Sequence, residues 1–422
     1  MRIAEMHVTP IAIADPPLRN AAGLHAPYAL RVVVELVTAD GIYGLGEMPG
    51  SADLVADLER ARDVVIGQDP FALSVLNAHI NALFAANQPD WNERRQARLW
   101  SPIEVALLDI IGKGVDRPVV DLLGGKMREQ VPFAAYLFFK HAGAGGTLGF
   151  GTDPTATGWA AARQAEALDP AGVVAQAQAM CAAYGFHSLK LKAGTLDPAV
   201  EVATIFALRD AFGPEMPLRI DPNGVWSVAT AIQWGERMAG VLQYYEDPVR
   251  GQEQMATVAR AVSMPLATNM CTTAFADLPG SVRLGSEQII LMDHHVWGGL
   301  RASLELARIG KTFGRDLSMH SNSHVGISLA AMVHLAAAVP ELAYACDTHY
   351  PWQSEDVIAG PRWEFEDGAI AVPDRPGLGI ELDRTALAML HQNYLDCGLT
   401  HRDDEIEMQK VEPGWTFIAE RW

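Results

Sequence analysis

Two lysines alternate with leucines in a short apolar segment and are the first residues that could do chemistry. Within SLKLKAG, a single leucine separates Lys190 from Lys192. Alternate residues of a β-strand point to the same side, so the two amines would share one face. We expect repulsion and partial desolvation to lower the pKa of at least one lysine toward that of a usable base.

Oxygen-bearing side chains end the apolar segments that follow. Asp221 ends LRID and shares its strand face with Asn223, Glu246 ends YYE, and Asn269 follows PLAT. Each one alone can be a helix N-cap, and Asp-Pro-Asn-Gly alone is a common turn. As a series on successive strands, the oxygens of Asp221, Glu246 and Asn269 suit Mg²⁺, which prefers hard oxygen ligands. We therefore predict a magnesium site.

Asp293 and His320 end the next two apolar segments. An aspartate on one strand can orient an imidazole on the next strand and raise its basicity, so this pair is predicted to act as general base and then as general acid. His324 lies four residues after His320, but Ser321 replaces the glutamate of H-E-x-x-H, which argues against a zinc hydrolase. We interpret the other nearby histidines as structural, namely His294, His295, His324 and His334.

The spacing of these strand ends predicts the fold. The polar residues, with Asp347 as the last of them, follow one another at intervals of 23 to 31 residues, enough for one strand, one helix and two loops. Such a repeat predicts an α/β chain forming a (β/α) barrel, with its active site at the carboxyl ends of the strands. Residues 131–362 are expected to form this barrel.

The first 130 residues have strands before helices, which indicates an α+β domain. Alternation over residues 25–37 and the Asp40-Gly41 turn predict a hairpin, and helices are predicted over 54–66, 71–85 and 102–114, with Pro102 in a first helical turn. Residues 363–422 lose the period and are expected to return to this domain. The glycine-rich residues 141–158 are predicted to form a lid or binding loop.

Composition narrows the function classes. The 422 residues carry 51 acidic against 32 basic side chains, a formal charge of −19, which disfavours nucleic acid as a partner. The four cysteines lie far apart, as is usual in a reducing compartment. Because the N-terminus lacks a signal-peptide pattern and no long apolar run is present, we expect a cytoplasmic protein without a membrane partner.

The ordered set of KxK, DPNG, EDP, Asn, Asp and His resembles the enolase superfamily, within it the branch that contains glucarate dehydratase. Further segments from near the start to the end of the chain resemble that branch: LHAPYALR, SPIEVALLD, AAYLFF, TNMCTT, MDHHVWGGLRAS, MHSNSHVGISL, HRDDEIEMQ and PGWTF. The resemblance implies a modified TIM barrel of the (β/α)7β type. It also implies that the N-terminal α+β domain caps the barrel and is completed by the C-terminal tail.

Residue by residue, the resemblance implies that Asp221, Glu246 and Asn269 bind Mg²⁺. Lys192 would act on one face of the substrate and His320, supported by Asp293, on the other. Lys190 would help to hold the enolate charge, with Asn223 as a second polar group near it. The implied substrate contacts are His25, Ser101, Tyr136, Phe138, Asn322 and Arg402. At one of them the chain departs from the branch, which typically has Thr-Gly in place of Ser101-Pro102.

The implied reaction is the Mg²⁺-dependent dehydration of an aldaric acid, foremost D-glucarate to 5-dehydro-4-deoxy-D-glucarate. Removal of the α-proton would give a metal-stabilised enediolate, which then loses the β-hydroxyl, and Arg402 would face the far carboxylate of the substrate. The resemblance also implies a homo-oligomer. Epimerisation, racemisation and dehydration of another sugar diacid use the same groups and remain open. A non-catalytic binding relative would have lost a metal ligand or a base, and none is lost.

Overall fold

A small antiparallel sheet and four helices form the N-terminal part of the computed structural model, which describes residues 1–422. The sheet has the order β1-β4-β5, so the predicted hairpin is present as β4 and β5. The strands of this part are β1 (Ile3–Ala14), β2 (Arg19–Asn20), β3 (Gly23–Leu24), β4 (Tyr28–Thr38) and β5 (Tyr43–Pro49). The helices are α1 (Ala52–Val65), α2 (Leu73–Ala85), α3 (Glu93–Gly114) and α4 (Val119–Leu122).

Helix α3 begins well before the predicted start at Pro102, so that prediction is wrong. Asn92 caps the helix, because its side chain accepts hydrogen bonds from the backbone N–H groups of Arg94 and Arg95. Pro102 lies inside the helix, where residues 99–112 are buried. A Cβ at Gly46 would lie 1.9 Å from the Pro102 carbonyl oxygen, so β5 packs directly against this part of the helix. This close packing stabilises the helix around the proline.

Eight mainly parallel strands then form a nearly closed barrel in the order β12-β11-β10-β9-β8-β7-β6-β13. The barrel closes between β12 and the segment that leads into β13, through a bridge from Leu317 to Leu342 and a hydrogen bond from Ser318 Oγ to the Ala345 carbonyl at 3.0 Å. The strands are β6 (Gln130–Phe138), β7 (Leu189–Lys192), β8 (Leu218–Asp221), β9 (Leu242–Glu246), β10 (Leu266–Thr268), β11 (Ile289–Met292), β12 (Asp316–Met319) and β13 (Cys346–Thr348).

Helices follow each barrel strand except the last, which confirms the (β/α)7β architecture. Aspartate caps and prolines in the first turn start two of them, at Asp169-Pro170 and Asp197-Pro198. The helices are α5 (Gly158–Ala162), α6 (Pro170–Tyr184), α7 (Pro198–Phe212), α8 (Val228–Arg237), α9 (Gln252–Ala261), α10 (Leu278–Leu284), α11 (His294–Trp297), α12 (Leu300–Thr312) and α13 (Gly326–Ala338). Short 3-10 helices cover Gly146–Leu148, Phe275–Asp277 and Tyr350–Trp352.

The C-terminal segment leaves the barrel and returns to the N-terminal domain. It contains β14 (Ala369–Ala371), α14 (Arg384–Cys397) and α15 (Asp404–Gln409). Strand β14 pairs antiparallel with β6, α14 packs against β1, and α15 packs against β3. The tail therefore carries residues from the far end of the chain to the mouth of the barrel. None of the helices combines the length and the apolarity needed to cross a membrane.

The glycine-rich residues 141–158 lie against the capping domain. The Gly146 N–H donates to the Pro27 carbonyl at 2.6 Å, and Gly145 bridges to Gly149. A Cβ at Gly145 (φ +76°) would lie 2.0 Å from the Asp15 carbonyl oxygen, so only glycine fits there. The loop thus packs against the residues that follow β1 and precede β4, and its opening as a lid stays a prediction.

Candidate active site

Lysines and carboxylates alternate across the barrel interior at the carboxyl ends of neighbouring strands. Lys190 Nζ lies 2.7 Å from Glu246 Oε1 and 2.6 Å from Asp347 Oδ2. Lys192 Nζ lies 2.6 Å from Asp221 Oδ2. Lys190 and its two partners are fully buried, whereas the side chain of Lys192 keeps 10% of its surface exposed. Each ammonium group therefore has its own carboxylate partner.

These pairs overturn the expected direction of the lysine pKa shift. Burial alone lowers the pKa of Lys190, but the charges of Asp347 and Glu246 outweigh it and hold that pKa well above its usual value. Burial likewise opposes the shift at Lys192, and Asp221 raises the pKa of this lysine. The prediction that mutual repulsion would lower one of them is wrong for this structure. Neither lysine is a free base while these carboxylates face it.

Asp221, Glu246 and Asn269 lie on three neighbouring strand ends, as predicted. Burial raises the pKa of Glu246 well above its usual value, and the charge of Asp221 adds to this effect. The side-chain oxygen of Asn269 is buried and accepts no hydrogen bond. Two crowded carboxylates beside an unsatisfied amide oxygen form a donor set that fits a hard divalent cation such as Mg²⁺.

The Asp-Pro-Asn-Gly sequence after β8 forms a tight turn that orients Asp221. Asn223 adopts a left-handed backbone conformation (φ +59°), and its N–H donates to Asp221 Oδ1 at 2.8 Å. Asn223 Nδ2 lies 3.4 Å from Met270 Sδ. The turn therefore holds one oxygen of Asp221 while the other faces Lys192.

Asp293 and His320 form the predicted pair directly after β11 and β12. Asp293 Oδ2 lies 3.0 Å from His320 Nδ1, and Asp293 Oδ1 lies 2.8 Å from His295 Nδ1. Burial alone would raise the pKa of Asp293, but the two imidazoles hold it well below its usual value. Because the carboxylate accepts from the Nδ1–H of His320, the Nε2 atom of that ring carries the free lone pair. His320 is therefore oriented to take a proton at Nε2.

Three further histidines are buried and neutral: His294 and His324 near this pair, and His334 against α4, where the Val120 N–H donates to its Nδ1 at 3.2 Å. Burial lowers the pKa of His294 well below its usual value and lowers the pKa values of His324 and His334 to about 4. These directions agree with their structural interpretation. His295 differs, because its contact with Asp293 joins it to the acid/base pair. Sequence reasoning missed this role, although the adjacent Asp293-His294-His295 run was a signal.

Aromatic rings form one wall of the site. The rings of Tyr136 and Phe138 on β6 are 4.7 Å apart, and that of His349 lies 4.7 Å from Tyr136 and 5.1 Å from Phe138. Lys190 Nζ lies 4.7 Å from the centre of the Tyr136 ring, and burial raises the pKa of Tyr136 to about 12. His349 was missed from the sequence, although it follows the last predicted strand end by two residues.

Cationic side chains line a cavity of about 450 Å³ at the mouth of the barrel. His25, Asn322 and Arg402 line it together, as predicted, although they come from three distant parts of the chain. Asp15 also lines the cavity and lies 2.9 Å from His25 Nδ1. Arg98 lines it as well and was missed from the sequence, where it stands among several other charged residues.

Two predicted contacts occupy different environments at this mouth. The side chain of Arg402 is half exposed, and its Nε donates to both oxygens of Asp404 at 2.7 and 2.8 Å. Ser101 on α3 is fully buried, and its hydroxyl has no hydrogen-bond partner. The cavity is lined by Arg98 and not by Ser101 on this helix, so the substrate contact of Ser101 stays a prediction.

Family models match both parts of the chain. Residues 5–124 match the mandelate racemase / muconate lactonizing enzyme N-terminal domain, and residues 172–386 match the enolase C-terminal domain-like family. The chain belongs to the enolase superfamily. The resemblance inferred from the strand-end residues is confirmed by these matches.

Curated relatives of this enolase superfamily enzyme include dehydratases and cycloisomerases. A probable glucarate dehydratase from Streptomyces coelicolor is 45% identical, over 100% of this chain and 99% of the relative. An L-talarate/galactarate dehydratase from Salmonella typhimurium is 25% identical over 84% of this chain and 81% of its own length. A D-galactarolactone cycloisomerase from Agrobacterium fabrum is 28% identical over 88% of this chain and 94% of its own length. The chain is thus a glucarate dehydratase-like enzyme.

Solved structures of the superfamily have the same fold over the whole chain. An enolase from Mycobacterium smegmatis complexed with tartrate superposes with a TM-score of 0.93 at 48% identity, covering 100% of this chain and 98% of that one. An enolase from Thermobispora bispora complexed with magnesium and formate superposes with a TM-score of 0.93 at 46% identity, covering 100% of both chains. Relatives of the same architecture therefore bind magnesium and small carboxylates.

Proposed function

We propose that this enolase superfamily enzyme is a Mg²⁺-dependent hydro-lyase that dehydrates an aldaric acid, with D-glucarate as the foremost substrate. The observation that carries the proposal is one site that combines the Asp293–His320 pair, an oxygen donor set for Mg²⁺ and a mouth lined by Arg98 and Arg402. Lys192 on β7 and His320, directly after β12, are separated by β6 and β13 on the shorter way round the barrel. Both side chains keep a small exposed surface, 10% and 16%, whereas Asp221, Lys190 and Glu246 are fully buried.

The proposed metal site would make the α-proton of the substrate acidic enough to be removed. Asp221, Glu246 and Asn269 would hold Mg²⁺, which when bound supplies positive charge against the negative charge that develops on a substrate carboxylate. Lys190 adds a fixed ammonium group on the same side of the site. Without such charges, a proton α to a carboxylate is too weakly acidic to be removed.

His320 performs the proton transfers of the proposed dehydration. Its Nε2 accepts the α-proton, the C–H bond pair becomes the double bond of an enediolate, and Asp293 stabilises the imidazolium that results. The protonated ring then donates to the β-hydroxyl as the C–O bond breaks, so that water leaves and an enol remains. This enol tautomerises to the 2-keto acid, 5-dehydro-4-deoxy-D-glucarate. Lys192 would act on the other face, donating a proton in reprotonation while Asp221 faces it, or accepting one from an epimeric substrate when Asp221 does not.

The cavity at the mouth supports a diacid substrate. Arg98 and Arg402 line it together with Asn322, so a second carboxylate at the far end of the substrate would meet guanidinium groups. The probable glucarate dehydratase that is 45% identical to this chain supports the same substrate class. A local cation cluster can attract a dianion even though the formal charge of the chain is −19.

The test is a panel of hexarate diacids incubated with the protein and Mg²⁺, with formation of a 2-keto acid as the readout. We expect keto acid from D-glucarate, and a loss of at least about 10²-fold in kcat in His320→Ala, because general acid–base catalysis contributes that much. His187→Ala is the matched control, since His187 is an exposed histidine paired with the exposed Asp367. Full activity in His320→Ala would contradict the assigned role.

Epimerisation or racemisation is the second candidate, favoured by the presence of proton-transfer groups on two walls of the site. The same panel run in D₂O separates the two functions. Deuterium that enters a diacid without loss of water would identify an epimerase, whereas keto acid formation identifies the dehydratase. If no diacid reacts, the substrate is to be sought among monocarboxylate sugar acids.

A further inference from the structure

Arg31 is a buried arginine that reaches from the capping domain into the barrel. It lies on β4, is 1% exposed, and pairs through Nε with Glu47 Oε1 on β5 at 2.7 Å. Its Nη1 donates to Asn322 Oδ1 at 2.9 Å, across 291 positions of sequence. A buried guanidinium with several directed donors fixes the orientation of the groups that accept from it.

The first group that Arg31 orients is the amide of Asn322. Because Asn322 Oδ1 accepts from Arg31, the amide Nδ2 is left to donate in another direction. Asn322 lines the mouth cavity and follows His320 by two residues. Its Nδ2–H groups are therefore available to a substrate oxygen, whereas a flipped amide would present an acceptor to an anion.

The second group is the imidazole of His295. Its Nε2 lies 2.9 Å from Ser328 Oγ and 3.5 Å from Arg31 Nη2. Arginine donates only, so its approach favours the tautomer in which Nε2 accepts and Nδ1 carries the proton. That Nδ1–H then donates to Asp293 Oδ1, which leaves Asp293 Oδ2 for His320. Arg31 is thus connected to the proton-transfer histidine through two residues.

Glu47 links Arg31 to helix α13 of the barrel. Its oxygens accept from the backbone N–H of Val325 at 2.9 Å and of Ser328 at 2.7 Å. These groups begin α13, where Val325 offers no side-chain cap. The carboxylate therefore serves as the missing helix cap and as the counter-ion of Arg31.

We propose that Arg31 and Glu47 of the capping domain are positioning residues for the reaction in the barrel. Arg31 orients the Asn322 amide toward the substrate and favours, together with Asp293, the His295 tautomer that is protonated at Nδ1, and Glu47 holds Arg31 against the start of α13. The kinetic part of this inference rests on the proposed diacid dehydratase function. The arrangement makes correct docking of the capping domain a condition for a competent site.

A double-mutant cycle tests the contact between Arg31 and Asn322. Arg31→Lys keeps a charge beside Glu47, so the chain is expected to fold, but one ammonium group cannot bridge to both Asn322 and His295. We expect this variant to raise KM for the diacid by about tenfold, and to raise it no further in an Asn322→Ala background. We expect kcat to fall in both backgrounds. Glu35→Gln is the control, because Glu35 lies on the same strand as Arg31 and pairs with Arg384 of α14, and it should change neither value.

Imidazole ¹⁵N spectra of histidine-labelled protein provide a readout that does not depend on turnover. In the unmodified protein we expect His295 and His320 to be protonated at Nδ1, and in Arg31→Lys we expect the His295 Nε2 signal to shift, because the guanidinium no longer approaches that atom. An additive effect on KM would overturn the orientation of Asn322, and an unchanged His295 signal would overturn the link to Asp293. If the unmodified protein converts no diacid, the proposed function fails while these spectra still decide the His295 part.

Discussion

Arg98 and Arg402 both line the mouth cavity, but their charges are compensated differently. Arg402 pairs with Asp404 within the tail. Arg98 lies on α3 and forms no ion pair, although its neighbours Arg94 and Arg95 pair with Asp277 and Asp90. A guanidinium without a carboxylate partner is free to bind one on a ligand. Arg98 is therefore the residue that we expect to recognise the far carboxylate together with Arg402.

Arg98→Gln is expected to raise KM for a hexarate diacid by about tenfold with little change in kcat, because the contact lies away from the reacting carbons. Steady-state kinetics on the diacid and on the matching monocarboxylate sugar acid measure the effect. Arg95→Gln is the control, since Arg95 lies on the same helix and is paired with an exposed aspartate. An equal rise in KM for the diacid and for the monocarboxylate would argue against recognition of the second carboxylate by Arg98.

Residue-scale prediction from the sequence succeeded where the signal was local. Asp221 and Glu246 end apolar strands, and the turn with Asn223 is encoded by four consecutive residues. The pKa of the lysines was misjudged because Asp347, which pairs with Lys190, lies 157 positions later in the chain. Arg31 is a cation within an apolar strand, and nothing in the adjacent sequence indicates that it reaches Asn322.

Helices α3 and α12 are joined by the carboxylate of Glu104. It accepts from the backbone N–H of Leu300 at 2.6 Å and of Arg301 at 3.3 Å, at the beginning of α12. A Cβ at Gly299 would lie 1.9 Å from Glu104 Oε2, so the contact also requires this glycine. Burial raises the pKa of Glu104 to about 7, and the two N–H donors only partly oppose this effect.

This pKa predicts how stability depends on pH. Between the usual value of 4.5 and about 7, the folded chain binds more protons at Glu104 than the unfolded chain does, so the free energy of unfolding should fall as pH rises through this window. The total decrease is on the order of 3 kcal/mol. Glu104→Gln should remove this contribution, because an amide accepts from Leu300 but does not titrate.

Denaturant unfolding between pH 5 and 8 measures this dependence. The half-exposed Glu59→Gln is the control and should keep the slope of the unmodified protein. Glu201 is also buried, with a pKa of about 7, and it too should lower the free energy of unfolding as pH rises. The quantity to compare is therefore the difference in pH dependence between Glu104→Gln and the unmodified protein. If the free energy of unfolding changed with pH equally in Glu104→Gln and in the unmodified protein, the raised pKa of Glu104 would be contradicted.

At the scale of the whole molecule, one apolar core extends through the capping domain and the barrel. It includes Val33 of β4, Ile103 of α3 and Leu329 of α13. The barrel presents the proposed metal ligands at its mouth, beneath the capping domain. Ion binding to the folded state alone should therefore stabilise the whole chain.

Removal of divalent cations with a chelator is expected to abolish turnover, and Mg²⁺ is expected to raise Tm as its concentration increases. At 100 times the dissociation constant, linkage gives about 2.7 kcal/mol of stabilisation, which is a shift of a few degrees for a chain of this size. Asn269→Ala should reduce the shift, and Asn87→Ala, at an exposed asparagine, should leave it unchanged. An equal shift in both variants would place the ion elsewhere.

The repeating architecture and most of the chemical groups could be predicted from the amino-acid sequence. Strand alternation, helix caps and a period of 23 to 31 residues are local properties of the chain, so the barrel and its polar strand ends followed from them. The start of α3 was the exception, because Pro102 was taken as a first-turn residue while Asn92 was overlooked as the cap.

The pairing of these groups depends on the tertiary structure. Closure of the barrel brings Asp347 to Lys190, docking of the capping domain brings Arg31 to Asn322, and the tail brings Arg402 to the cavity that His25 also lines. In each case the residues are far apart in sequence, and the charges of the buried pairs act over a few ångströms. Protonation and orientation therefore depend on distances that no local pattern encodes.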